Sequence, residues 1–265
     1  MGSKSTIIML YDAEFNLPEK TLSPFAVRLR ILLDYKCIPY QNVWIHFPDI
    51  EATAKSVGAP PTRINADGRP GYTIPFVTIA SHDKPTIALS DSAKIVKYIE
   101  EAYPDPEGKM LPAGMRVLHS IFSQYLAQNI AGPMFKFVLP GLLRALAPHP
   151  RDWLIQTRKS TLGVTIDEMI PKDEKSIAEA WRAVDAAFDD LAAHLDKAGE
   201  GNFRITGDVS YVEFELVSIL NLLRRTNPDE GWKRLEILNG DRWAKLMDLP
   251  IYKRLLPANR LNAML

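Results

Sequence analysis

The chain has 265 residues, of which 46% are hydrophobic and 24% are charged, as in ordinary soluble globular proteins. Its 32 basic residues balance its 32 acidic residues, which argues against a nucleic-acid-binding protein and against one that binds anionic membranes. The single cysteine excludes an intramolecular disulfide, and no apolar run reaches the roughly 18 residues of a membrane-spanning helix. We therefore expect a cytoplasmic protein with one large domain or two moderate ones.

The first part of the chain predicts alternating strands and helices. A short apolar strand is predicted at Ile7 to Tyr11, and a helix at Pro24 to Lys36, where apolar residues recur at helical spacing. A second strand is predicted at Asn42 to Phe47, followed by a short helix from about Asp49. Residues 58–71 are rich in Gly, Pro and Asn and predict a loop. With the hairpin and helix that follow, this order indicates an open mixed sheet covered by helices.

A hairpin marked by a proline follows this loop. Its strands are predicted at Ile74 to Val77 and at Thr86 to Leu89, with a turn at 82–85. Pro75 fits only at the start of a strand, because proline cannot donate a hydrogen bond inside a sheet. An X-Pro bond in such a tight place can be cis. A cis bond here would expose the backbone N–H and C=O of Ile74 towards a cleft.

The next helix, from Asp91 to about Ala102, begins with residues of the capping type. The free amides of a helix N-terminus bind carboxylates, and the Ser92 hydroxyl can add to them. A peptide edge beside such a helix start suits a small peptide that carries both an ammonium and a carboxylate. The alternative is that Asp91 and Ser92 only cap the helix, and both roles can hold together.

A proline-rich break at residues 103–108 predicts two domains, 1–103 and 109–265. The second shows no convincing strand, and its clearest helix is predicted at 173–197. Ser210 and Glu213 predict a capping box at the start of another helix. Further helices are predicted at 111–131, at 134–147 and in short pieces between 229 and 256, with breaks at Pro133, Pro140, Pro228 and Pro250.

The order of these segments resembles that of the cytosolic glutathione transferases. LSPFAVRLRILLDYK (22–36) resembles the catalytic strand-to-helix turn of a serine-type member, and YTIPF (72–76) resembles the cis-proline segment of that family. ALSDSAKIVKYIEEAYPD (88–105) resembles its glutamyl-binding helix start, and ITGDVSYVEFEL (205–216) its capping-box helix. The resemblance implies an α+β N-terminal thioredoxin-like domain that binds glutathione, plus an all-α C-terminal domain that contributes the electrophile site.

Four segments are more narrowly similar to the fungal etherase-like (FuA-type) class and to bacterial lignin β-etherases: SPFAVRLR, WIHFPDIE, APPTRINADGRPGYTIP and DLPIYKRLL. This resemblance covers nearly the whole chain. It implies a homodimer that uses glutathione as co-substrate for conjugation to hydrophobic electrophiles, or for reduction of hydroperoxides, in detoxification. One alternative is a ligandin-type binding protein for aromatic or polyphenolic compounds with little catalysis. Another is a regulatory homologue without activity.

Ser23 is the residue predicted to carry the chemistry. Pro24 suits the first helical position, so Ser23 would lie at the positive end of the helix dipole. A free thiol titrates near 8.5, and lowering that pKa by about two units requires about 2.7 kcal/mol. A hydroxyl bond to an anion supplies ~1.5–3 kcal/mol and the helix end about 0.3–1 kcal/mol. These contributions suffice without a metal or a general base. The alternative is that Ser23 only caps its helix.

The resemblance also implies roles for other residues. The backbone of Ile74 would pair with the cysteinyl part of glutathione, Asp91 would meet the α-ammonium, and Ser92 would bind the γ-glutamyl carboxylate. His46 and Arg63 are candidates for the glycine carboxylate. The candidate electrophile site consists of Phe25, Met134 and Phe137, although aromatic residues at helical spacing are more often part of a core.

Cys37 is a rival nucleophile, and it lies at the far end of the helix that begins after Ser23. A helix C-terminus disfavours a thiolate, so we expect a structural role for this cysteine. The histidines are scattered without ligand spacing, and we expect no metal site.

Overall fold

The computed structural model describes residues 6–81, 84–105 and 110–257. Contacts divide the chain into two compact units: Met1–Pro104 with Ala145–Ile166, and Asp105–Arg144 with Asp167–Leu265. The predicted domain bounds, 1–103 and 109–265, do not include this return of the chain to the first unit. Part of the predicted turn, His82 and Asp83, and part of the predicted break, residues 106–108, lie outside the described residues.

The strands are β1 (Ile7–Ala13), β2 (Tyr40–Ile45), β3 (Arg63–Ile64), β4 (Pro70–Gly71), β5 (Phe76–Ser81) and β6 (Lys84–Ser90). The helices are α1 (Pro24–Tyr35), α2 (Ile50–Ser56), α3 (Ser92–Ala102), α4 (Arg116–Tyr125), α5 (Gly132–Arg144), α6 (Pro148–Leu162), α7 (Ile166–Met169), α8 (Glu174–Asp196), α9 (Tyr211–Thr226), α10 (Lys233–Glu236), α11 (Arg242–Met247) and α12 (Pro250–Leu255). Short 3₁₀ segments cover Phe47–Asp49 and Ala113–Met115, and π-helical segments cover Leu126–Ala131 and Pro228–Trp232.

The main sheet of the first unit has the strand order β2-β1-β5-β6. β1 is parallel to β2 and antiparallel to β5, so Leu10 lies opposite Asn42 on one side and Val77 on the other. β5 and β6 are antiparallel. Leu29 on α1 and Ile95 on α3 are fully buried, as an amphipathic helix covering a sheet requires. This arrangement matches the predicted mixed sheet.

A second ladder joins β3 and β4 within the stretch that the sequence predicts as loop. Arg63 pairs with Gly71 and Ile64 with Pro70, and Gly68 adopts a positive φ in the turn between them. The loop prediction is therefore wrong for these residues. The ladder is only two pairs long, and the side chains of β3 are exposed, so no alternation of apolar and polar residues reveals it.

The β3–β4 hairpin is hydrogen-bonded to α6, which the sequence analysis does not predict. The amide of Ala66 donates to the carbonyl of Thr161 (3.3 Å), and the amide of Asp67 donates to that of Ser160 (3.1 Å). α6 belongs to the first unit, although it follows α4 and α5 in the chain. The last turn of α6 thus supplies the hydrogen-bond acceptors for two amides of the hairpin turn.

In the second unit, α9 is buried on nearly all sides and forms the centre of a helical bundle. Gly141 on α5 meets the end of α9, where a Cβ would stand 2.0 Å from the carbonyl oxygen of Thr226. The predicted breaks at Pro133 and Pro140 are wrong, since α5 runs through both. Pro133 lies in the first turn of α5, directly after the π-helical segment that ends at Ala131, and Pro140 removes one bond without ending a helix that packs closely on α9.

The predicted capping box of α9 does not form. Ser210 is the N-cap residue, but its side chain makes no capping hydrogen bond. The buried Glu213 carboxylate instead accepts two bonds from Arg204 (both 2.8 Å), one from the amide of Ile205 (3.1 Å) and one from the Tyr252 hydroxyl (2.6 Å). These stronger, partly charged donors occupy the carboxylate that a capping box would use. Burial and the Glu213 charge raise the pKa of Tyr252, which keeps its phenol a donor.

Candidate active site

Ser23 stands at the start of α1, with Pro24 as the first helical residue. Its carbonyl oxygen accepts from the amides of Ala26 (3.1 Å) and Val27 (2.8 Å), so the backbone of the helix begins there. Its side chain makes no capping hydrogen bond. The residue is 9% exposed. The hydroxyl therefore lies at the positive end of the helix without being used by that helix, which disfavours the capping alternative.

The loop that leads to Ser23 is anchored by a buried ion pair. Asp12, on β1, is fully buried and accepts from the Thr21 hydroxyl (2.7 Å) and from Arg30 Nη2 (3.0 Å). The Arg30 guanidinium lies over the Trp44 ring, 4.8 Å from its centroid. Burial raises the pKa of Asp12, and the Arg30 charge and the Thr21 bond limit that rise. Because Thr21 precedes Ser23 by two residues, this pair restrains the end of the loop.

The Ile74–Pro75 peptide bond is cis. β5 begins one residue later, at Phe76, so the strand start predicted at Ile74 is early by two residues. The Phe76 ring stacks on Tyr11 of β1, with centroids 4.6 Å apart. Ile74 is half-buried and packs against the cluster that contains these two rings. The segment that would pair with a peptide is thus fixed to the main sheet.

The start of α3 combines a cap with a strained backbone. Asp91 is the N-cap residue, and its Oδ1 accepts from the amide of Ala93 (3.0 Å). It has φ 75° and ψ 113°, an unusual conformation for a residue other than glycine. Such strain costs of order 1–3 kcal/mol and occurs mostly at functional sites. Ser92 is buried, and its hydroxyl accepts from Arg28 Nη2 (2.6 Å), a contact that the sequence analysis does not predict.

The two candidates for the glycine carboxylate lie in the first unit. His46 is half-exposed, with its Nε2 3.9 Å from the Glu14 carboxylate. Arg63 on β3 is exposed, and its Nε donates to Asn65 Oδ1 (3.1 Å). Burial and the Arg63 charge together lower the pKa of Arg158, on α6, to about 10. These contacts do not choose between the two candidates, and the glycine assignment stays a prediction.

The candidate electrophile residues have different surroundings. Phe25 is exposed in the first turn of α1, and the Arg28 guanidinium lies 4.8 Å from its ring centroid. Met134 and Phe137 belong to the second unit and are 1% and 8% exposed. Phe137 stacks on Trp181, with centroids 3.5 Å apart. Their burial favours the core alternative over a ligand surface, because side chains held in a packed interior offer little area to a ligand.

Cys37 follows the end of α1 in a left-handed conformation (φ 53°) and is exposed. It lies at the opposite end of α1 from Ser23, and the structural role expected for it stays a prediction. No group of three or more His, Cys, Asp or Glu side chains in the described ranges is arranged to hold a metal ion. Within the same ranges, no helix has the length and apolar character needed to cross a membrane.

Comparisons with known proteins agree with this geometry. The model of the glutathione S-transferase N-terminal domain matches residues 17–107, and that of the C-terminal domain matches residues 117–249. Glutathione transferase GSTFuA3 of Phanerochaete chrysosporium is 30% identical, with 92% of this chain and 96% of that chain covered and a TM-score of 0.80.

A second solved relative is the glutathione S-transferase CsGST63524 of Ceriporiopsis subvermispora, determined in complex with glutathione. It is 31% identical over 91% of this chain and 95% of that chain, with a TM-score of 0.80. The glutathione S-transferase-like protein ustS of Aspergillus flavus is 27% identical over 246 residues, which are 87% of this chain and 85% of that protein. These matches confirm the α+β plus all-α fold, and the chain belongs to the glutathione S-transferase family, with solved relatives of the fungal FuA type.

Proposed function

We propose that this protein is a glutathione transferase in which the Ser23 hydroxyl donates a hydrogen bond to the glutathione thiolate. The observation that carries the proposal is that this hydroxyl stands at the N-terminus of α1 and makes no bond to its own helix. A serine that only capped the helix would use its side-chain oxygen for an amide of the first turn. A hydroxyl left at the positive helix end is instead suited to stabilise an anion.

The rest of the peptide would bind along the neighbouring features of the first unit. The backbone of Ile74, next to the cis bond, pairs with the cysteinyl part. The strained Asp91 meets the α-ammonium, and Ser92 with its amide takes the γ-glutamyl carboxylate. His46 or Arg63 holds the glycine carboxylate. The determination of one relative as a complex with glutathione supports this use of the fold.

The thiolate then attacks hydrophobic electrophiles such as isothiocyanates and aryl halides. In conjugation, the sulfur forms a bond to the electrophilic carbon: with an isothiocyanate the C=N π bond opens and the nitrogen takes up a proton, and with an aryl halide the carbon–halogen bond breaks and halide leaves. With an organic hydroperoxide, the O–O bond breaks, two glutathione molecules are oxidised to the disulfide, and the peroxide is reduced to an alcohol and water. The exposed Phe25 ring, two residues after Ser23 in the chain, is the remaining candidate for contact with the electrophile.

The proposed enzyme acts in detoxification in the cytoplasm as a homodimer. Four large apolar side chains at and before α4 are exposed: Met115, Val117, Leu118 and Ile121. Val117 alone is 73% exposed. An exposed apolar surface of this kind marks an interaction site in many proteins, which supports association between two copies.

The test is the rate of glutathione conjugation to phenethyl isothiocyanate as a function of pH, in the wild type and in Ser23→Ala. Loss of the hydroxyl should raise the pKa of the bound thiol by about one to two units, since the lost bond is worth ~1.5–3 kcal/mol. The rate at neutral pH should fall and the profile should shift to higher pH, while calorimetry should show nearly unchanged glutathione binding.

Ser56→Ala is the matched control, because the Ser56 hydroxyl is exposed and bonds to the carbonyl of Thr53 in its own helix. It should behave as the wild type. An unchanged pH profile in Ser23→Ala would refute the proposed role of Ser23. A conjugation rate near background in both the wild type and Ser23→Ala would instead favour the ligandin alternative. The next measurement would then be the binding of aromatic compounds.

A further inference from the structure

A hydrogen bond joins the helix that begins after Ser23 to the helix that begins at Ser92. Arg28 lies in the second turn of α1, and its Nη2 donates to Ser92 Oγ at 2.6 Å, across 64 residues of sequence. Ser92 is the first residue of α3 and is buried. A charge-assisted bond of this length between two helix starts fixes the relative position of their first turns.

The bond also sets the polarity of the Ser92 hydroxyl. A guanidinium has only donors, so the Ser92 oxygen must be the acceptor towards Arg28. The hydroxyl has one proton, which then points away from Arg28 and is available for donation to another acceptor. Donation from a cation also polarises the hydroxyl and makes it a better donor in turn. Ser92 is therefore prepared to donate to an anion.

The Arg28 side chain makes a second contact, with the ring of Phe25. Its guanidinium carbon lies 4.8 Å from the centroid of the Phe25 ring, one turn earlier on α1. A cation over an aromatic face at this distance is attracted by it. The guanidinium thus contacts both the ring of Phe25 and the hydroxyl of Ser92. It lies one hydrogen bond away from any anion that Ser92 binds.

We propose that Arg28 is a positioning residue for the γ-glutamyl carboxylate of glutathione. It orients the Ser92 hydroxyl as a donor and supplies the positive charge that favours a carboxylate at the start of α3. The negative charge of Asp91 would repel a bound carboxylate. The positive charge of Arg28, on the neighbouring helix, offsets this repulsion. The inference rests on the proposed function and extends it, since it explains how the site would distinguish glutathione from peptides without the α-carboxylate.

The test compares glutathione with 4-aminobutyryl-cysteinyl-glycine, which lacks only the α-carboxylate. Calorimetric dissociation constants are measured for the wild type, Arg28→Met and Arg28→Lys. The wild type should bind glutathione at least about tenfold more tightly than the analogue, which is about 1.4 kcal/mol. Arg28→Met should bind both peptides with nearly equal dissociation constants, and Arg28→Lys should regain part of the preference. The kcat at saturating glutathione should stay within about twofold of the wild type in Arg28→Met.

Arg69→Met is the control, because it removes the same charge from an exposed residue of the first unit that pairs with Asp67. It should keep the wild-type preference. The inference is overturned if Arg28→Met also keeps that preference. Equal weakening of the binding of both peptides would likewise overturn it, because loss of a purely structural residue would have that effect. Should Arg28→Met fail to fold, Arg28→Lys decides: a preference for glutathione below that of the wild type supports the inference, and an unchanged preference overturns it.

These outcomes separate the inference from the proposed function. A normal preference in the wild type that is lost in Arg28→Met supports the role of Arg28 even if Ser23→Ala leaves the pH profile unchanged. Conversely, a shifted profile in Ser23→Ala together with an unaltered preference in Arg28→Met refutes only the role of Arg28.

Discussion

Replacement of Arg30 by Met should destabilise the first unit, and the loss should grow as the pH rises. Methionine retains much of the apolar stem but removes the guanidinium that bonds to Asp12 in the interior. Removing one partner of a buried ion pair costs about 3–5 kcal/mol. A nearby arginine lowers the pKa of a carboxyl by about 1–3 units, or about 1.4–4 kcal/mol. Much of the loss should therefore depend on the ionisation of Asp12.

The sign of the pH dependence follows from the pKa of Asp12, which burial raises in the folded protein. A carboxyl with a raised folded pKa contributes stability below its unfolded pKa, near 3.9, and this contribution is lost as the pH rises through the folded pKa. Without Arg30 the folded pKa rises further, so the loss continues to higher pH. The difference in free energy of unfolding between wild type and Arg30→Met should be smaller at about pH 5 than at about pH 8.

Urea unfolding followed by circular dichroism at both pH values would measure this difference, and hydrogen exchange would assign it to amides of the first unit. The matched control is the double variant Arg30→Met with Asp12→Asn, which has no carboxyl to ionise and should lose the extra pH dependence. An equal penalty at the two pH values, or a penalty below about 1 kcal/mol at both, would refute the reasoning.

Two further predictions concern the second unit. Gly141→Ala should lower the free energy of unfolding by about 1–3 kcal/mol or more, because the new Cβ would stand 2.0 Å from the Thr226 carbonyl oxygen. Gly114→Ala, whose Cβ would meet no atom within 4 Å, is its control in thermal melting, and equal melting temperatures would contradict the close packing. Light scattering of the wild type should give about twice the chain mass of 29.8 kDa, and Val117→Glu with Ile121→Glu should give the single mass, because charges disfavour burial of this apolar surface. A monomeric wild type would contradict the proposed homodimer.

The elements around the candidate site could be predicted from sequence because local rules produce them. Pro75 cannot lie inside a ladder, and β5 indeed begins after it. Pro24 favours the first position of a helix, and α1 begins there. Asp91 is a preferred cap, and it accepts the expected amide bond. Each of these features depends on a few neighbouring residues, so it is visible in a short stretch of sequence.

Contacts between distant segments could not be predicted in this way. Arg28 and Arg30 are charged residues on a helix, which usually face solvent, whereas the structure directs them to Ser92 and Asp12. A partial signal was available, since both arginines stand among the most apolar residues of α1. The prediction of a capping box is wrong for the same reason: donors outside the helix start, Arg204 and Tyr252, occupy the Glu213 carboxylate.

The return of the chain through α6 has a consequence for how the first unit is made. Its last segment, Ala145–Ile166, is synthesised only after α4 and α5. A nascent chain that ends near Pro104 would leave the amides of Ala66 and Asp67 without the acceptors that α6 provides. Completion of the first unit on the ribosome must therefore wait for this segment to emerge, and the unit cannot be exchanged between relatives as one uninterrupted gene segment.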